Sequence, residues 1–103
     1  SKESFGSLGF SVQALTPQLA EEMGLSKGKV GVVVTEVVPG SPAANKNLQV
    51  GDILRRFGQR PVKGIVELTK DIEDAEESGR SGILILIERD GRERFLQIGF
   101  AKK

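Results

Sequence analysis

Histidine and cysteine are absent from the 103 residues of this chain, and so are tyrosine and tryptophan. Without histidine there is no Ser-His-Asp triad, no Cys-His dyad and no imidazole metal site. A Ser-Lys pair or two carboxylates could still hydrolyse a bond, but no local pattern sets either up, so no catalytic residue, metal or cofactor is expected. The lack of cysteine suits a cytosolic and a periplasmic chain equally. Five phenylalanines are the only aromatics, and fifteen basic against fourteen acidic side chains leave a net charge of +1. That composition offers neither a base-stacking surface nor a field that would draw nucleic acid or an anionic membrane. No apolar run approaches the ~20 residues that span a bilayer, so membrane insertion is not expected. A basic start followed by an apolar stretch, the mark of a signal peptide, is missing as well.

What is present fits a single domain. Ser1-Lys2-Glu3-Ser4 and Ala101-Lys102-Lys103 read as linker or cut ends, which divides the chain into a flank at 1–7, a domain at 8–100 and a tail at 101–103. Leu8, Phe10, Val12 and Ala14 alternate with their neighbours as in a half-buried strand. Thr16-Pro17 then pairs an N-cap with a first-turn proline, predicting a short helix that closes at Gly24. Lys27-Gly28-Lys29 reads as a turn. The β-branched run 31–38 predicts a strand buried on both faces for part of its length. Ser41-Pro42 repeats the cap-and-proline signal for a second short helix, closed by Asn47, with Leu48 turned into the core. Residues 53–57 and 61–62 form a small hairpin about Gly58-Gln59. Ile65, Leu68, Ile72 and Ala75 mark one side of the longest helix, over 64–77, whose other side is charged. Strands at 82–87 and 95–98 flank Asp90-Gly91 in a final hairpin. Five or six strands with two or three helices in mixed order predict a mixed α/β, mainly β fold, a partly open barrel or sandwich capped by helices.

Ser7-Leu8-Gly9-Phe10-Ser11-Val12 opens the first predicted strand on a hydrophobic-Gly-hydrophobic turn. Glycine admits torsions closed to other residues, so consecutive backbone amides there can converge on one anion. Alternation alone makes Leu8, Phe10 and Val12 core residues of an edge strand, and Ile65, Leu68 and Ile72 an ordinary amphipathic stripe. Asp71, Glu73, Asp74, Glu76 and Glu77 read as a solvated acidic face, and Lys2 as a solvated terminal lysine.

Gly40-Ser41-Pro42-Ala43-Ala44, then Leu48, Gly51-Asp52-Ile53-Leu54, Gly58 and Val62, resemble the core pattern of PDZ domains. With Leu8-Gly9-Phe10 first and the strand to Phe100 last, the order resembles the circularly shifted PDZ domains of bacterial HtrA/Deg serine proteases, most closely the second, C-terminal one. Three positions depart from that pattern: Ser7 where the loop often opens with glycine or an aromatic, Asn47 for a glycine, and Arg56-Phe57 where asparagine often precedes Gly58.

The resemblance implies a non-catalytic peptide-binding module of a periplasmic protease. An extended peptide would add as a strand beside residues 10–13, facing the helix that carries Ile65, Thr69 and Ile72. The amides of Leu8, Gly9 and Phe10 would hold its terminal carboxylate, and Leu8, Phe10, Val12 and Ile72 would line the pocket for its last side chain. Ser11 lies on the same strand, and Ile65 with Thr69 would face the residue two before the end, favouring a hydrophobic one there. Expected partners are C-terminal peptides or unfolded segments with apolar ends, and other domains of the parent. Burying one apolar side chain gives roughly 1.5–3 kcal/mol, so affinity is expected on the micromolar scale, about −8 kcal/mol. Two alternatives stay open: a structural domain with an unused groove serving assembly, and a module of a tail-specific or site-two protease.

Overall fold

The elements follow from local pattern, and the computed structural model describes them over residues 2–24 and 31–99. In chain order they are β1 (Lys2–Phe5), β2 (Phe10–Ala14), α1 (Pro17–Glu22), β3 (Val32–Val37), α2 (Pro42–Asn45), β4 (Ile53–Phe57), β5 (Arg60–Pro61), α3 (Ile65–Glu77), β6 (Gly82–Arg89) and β7 (Arg92–Gly99). The predicted turn Lys27-Gly28-Lys29, Phe100 and the last three residues lie outside the described residues. All strands join one antiparallel sheet in the order β1-β2-β3-β4-β6-β7, with β5 paired to β4. A mainly β fold with short helices is therefore observed, with seven strands among the described residues where five or six are expected. The extra strand is β1, in the segment read as linker.

Both proline-led helices begin as their caps require. Thr16 Oγ1 accepts from Leu19 N at 3.0 Å and Ser41 Oγ accepts from Ala44 N at 3.2 Å, each satisfying an orphan amide of a first turn. Asn47 leaves α2 at φ 70°, and Leu48 is buried beyond it. Helix α3 buries Leu68, Ile72 and Ala75 and leaves Glu73, Asp74, Glu76 and Glu77 exposed, the two faces its periodicity predicts. Asp71 departs from a purely solvated face, with its carboxylate 3.4 Å from Arg60 Nη1. Asp90 at φ 54° and Gly91 at φ 78° turn the β6–β7 hairpin in the left-handed torsions that a two-residue turn needs.

The main core gathers Val32 and Val34 of β3, Leu54 and Phe57 of β4, Leu68 and Ile72 of α3, and Ile83, Ile85, Ile87 and Ile98 of the last hairpin. A smaller cluster of Leu15, Ala20 and Ile53 seats α1 with Leu19 and Met23. Of the buried polar residues Ser41, Asp52 and Glu88, Asp52 lies deepest. Asp52, read from sequence as a turn residue, is 1% exposed and accepts from Arg89 Nε and Nη2, both at 2.7 Å, and from Gln49 N at 2.9 Å. Arg89 Nη2 also donates to the carbonyl of Asn47 at 2.9 Å, so the pair joins β6 to the end of α2.

Candidate functional site

The turn between β1 and β2 sets its amides by fixing its carbonyls. Leu8 O accepts from Ala43 N at 3.0 Å, and Gly9 O accepts from Val38 N at 2.8 Å and from Ser41 Oγ at 3.3 Å. A trans peptide is planar, with its N–H opposed to the carbonyl of the same plane. Tying Leu8 O and Gly9 O to the β3–α2 segment therefore turns the amides of Gly9 and Phe10 the other way, toward Phe5. Gly9 adopts φ +82° to make this turn. A β-carbon there would overlap the Ser41 side chain, so both the torsion and the close approach require glycine.

Two of the three predicted amides meet on a single oxygen. Leu8 N and Gly9 N donate to the carbonyl of Phe5 at 3.1 and 2.7 Å, and Phe10 is the register partner of Phe5. Sequence reasoning left the edge of β2 free, whereas the structure pairs it with β1. Lys2 lies opposite Gln13, Glu3 opposite Val12, Ser4 opposite Ser11 and Phe5 opposite Phe10, all antiparallel.

Side chains sort by face as the strand period demands. Leu8, Phe10, Val12 and Ile72 share one apolar cluster at 2% exposure or less, and Phe5 joins it at 7% with its ring centroid 5.3 Å from that of Phe10. Ile65 is partly buried against the same cluster, while Leu68 is fully inside it. Ser11 turns to the opposite face, its Oγ 2.8 Å from Ser4 Oγ. Thr69, one helical turn from Ile65, carries a buried Oγ1 with no hydrogen-bond partner among the described residues. Between β1 and α3 an open groove of about 810 Å³ is bounded by Glu3, Ile65, Val66, Thr69, Lys70 and Glu73.

Three contributors escaped the sequence reading as parts of the site. Ser41 and Ala43 entered it as part of a helix start and of the core pattern, yet they also hold the loop that aims the amides. Their pairing with Gly9 and Leu8 spans more than 30 residues, beyond any local pattern. Phe5 had a local signal, since Gly6-Ser7 is a turn pair between Phe5 and the alternating strand. Ser41→Ala should cost about 1–2 kcal/mol, because it removes an N-cap and the bond to Gly9 O together. Urea unfolding measures this, and an unchanged midpoint would refute the coupling of cap and loop.

Comparison with known proteins decides the family. Residues 6–99 match the family model of the PDZ domain. The chain is a PDZ domain. A protein of Rickettsia prowazekii, named a probable periplasmic serine endoprotease, DegP-like, is 36% identical over 97 residues, covering 94% of this chain and 18% of that protein. Its namesake in Bartonella henselae is 35% identical over 74 residues, covering 72% of this chain and 15% of that protein. The chain thus spans less than a fifth of the length of these curated relatives. Among solved structures, the HtrA-type protease AlgW with a decapeptide matches at a TM-score of 0.81 and 28% identity over 93% of this chain and 29% of that one. The HtrA3 PDZ domain bound to the phage-derived ligand FGRWV matches at 0.72 and 26% over 96% and 86%. This PDZ domain is accordingly related to those of HtrA/DegP-like serine proteases.

Proposed function

We propose that this domain recognises hydrophobic C-terminal tails of unfolded proteins for a DegP-like periplasmic serine endoprotease, in which it is the second PDZ domain and has no catalytic part. The observation that carries this reading is the convergence of the Leu8 and Gly9 amides on one oxygen beside the buried apolar cluster of Leu8, Phe10, Val12 and Ile72. A terminal carboxylate at that point receives charge-assisted hydrogen bonds. An apolar last side chain is met by Leu8, Phe10, Val12 and Ile72, and the chain before it adds to β2 as a strand along Ser11 toward Ile65 and Thr69. Two solved relatives are described with peptides bound, one of them ending in valine, which supports the same use here. Regulation or assembly of the parent follows if tail binding changes how this domain meets its neighbours.

The test is a calorimetric titration with two peptides of one sequence, ending in valine as the free acid or as the amide. The acid should bind near the micromolar scale, and the amide at least about tenfold more weakly, a difference of ~1.4 kcal/mol. Equal affinity would remove the carboxylate-binding role of the loop. The pairing of β1 on the edge of β2 favours a second reading, a structural domain whose groove serves assembly only. Absence of saturable binding by either peptide, together with altered assembly of the parent on deletion, would favour it.

A further inference from the structure

We propose that Lys2–Phe5 is a tethered occupant of the domain's own peptide site, a pseudo-ligand that an incoming tail must displace. This rests on the peptide-recognition reading and adds its regulation. Strand β1 reproduces the layout of that recognition. It runs antiparallel along the edge of β2, in register from Phe5↔Phe10 to Lys2↔Gln13. Phe5 stands in the position of a last residue, its ring buried in the cluster of Leu8, Phe10, Val12 and Ile72. Its carbonyl takes the amides of Leu8 and Gly9 that a carboxylate would take. Glu3, two residues earlier, reaches the groove lined by Ile65 and Thr69.

The fit is incomplete in ways that make this occupant replaceable. Phe5 offers the amides one neutral oxygen, whereas a free terminus offers two that share a negative charge. Thr69 Oγ1 stays without a partner among the described residues while β1 is seated. Glu3 and Ser4 are exposed, so a strand of four residues is anchored chiefly through Phe5. The tether raises the threshold for entry, because an internal apolar segment brings no charge to offset the loss of Phe5, while a true C-terminus does. Groove occupancy by β1 therefore selects chain ends over chain interiors.

The experiment uses the full chain and its Phe5→Ser variant, titrated with the free-acid peptide Gly-Ser-Lys-Glu-Ser-Phe and followed by NMR. The peptide should bind the variant about tenfold more tightly than the parent chain, as a tenfold excess of the closed state requires. In the parent chain, saturation should abolish the Phe5–Phe10 ring contact while shifting the amides of Leu8, Gly9 and Phe10. Equal affinity for both chains, or a ring contact that persists at saturation, would make β1 a permanent hairpin strand and overturn the proposal. Should Phe5→Ser not fold, the ring contact in the parent chain still decides. A folded variant that binds no peptide would instead overturn the peptide-recognition reading itself.

Discussion

Replacing Arg89 with methionine is expected to cost about 3–5 kcal/mol of folding stability, the usual consequence of leaving one member of a buried ion pair alone. Asp52 is 1% exposed and takes two of its hydrogen bonds from Arg89, so among the described residues the variant leaves its carboxylate the Gln49 amide as donor. Arg89 is held above the usual guanidinium range, first by its hydrogen bond to Asp52. A raised value means its contribution is complete below that range and is lost only above it, so the loss in Arg89→Met should not vary with neutral or alkaline pH through arginine titration. Adding Asp52→Asn to Arg89→Met should recover a large part of the loss, since the uncompensated charge is then gone. Urea unfolding of both variants tests this. A single-variant loss below about 1 kcal/mol would show that the pair acts as an exposed one. The effect should reach the site, because Arg89 also holds the Asn47 carbonyl at the end of the helix whose start backs the amide loop.

Gly9→Ala is expected to cost about 2–5 kcal/mol and to abolish peptide binding. The left-handed torsion accounts for roughly 1–2 kcal/mol of that, and crowding against Ser41 adds ~1–3. Ser41 has little freedom to retreat, since its own amide donates to Val38 O at 3.1 Å and its carbonyl accepts from Asn45 N at 2.9 Å. Gly40→Ala is the internal control, for Gly40 has a similar φ of +78° but open space where a β-carbon would go. Thermal unfolding of the two variants should differ by the crowding contribution alone. If they lose the same stability, the packing of Gly9 on Ser41 is not what fixes the loop.

The loop is the place where local pattern and tertiary contact divide. Hydrophobic-Gly-hydrophobic at Leu8-Gly9-Phe10 announced a turn able to present amides, because glycine's torsional freedom is a property of the residue itself. The direction of the Gly9 and Phe10 amides is decided by Ala43 N, Val38 N and Ser41 Oγ, which no spacing within the loop encodes. Helix α3 and the valine-rich β3 were legible for the opposite reason, since periodicity of 3.6 and β-branching act on neighbours in sequence.

By itself the sequence determined the class of the protein: a mainly β domain without histidine or cysteine, two proline-capped short helices, an amphipathic α3 and a glycine turn suited to an anion. These follow from torsional preference and patterning, which operate over a few residues. Only the tertiary structure decided that Asp52 meets Arg89 across 37 positions, that Ser41 sits against Gly9, and that Phe5 fills the cluster beside Phe10. The first two depend on strands and helices distant in the chain being brought side by side. The third depends on the edge of β2, whose backbone groups take the nearest strand available, and here that strand is β1, joined to it by a short turn.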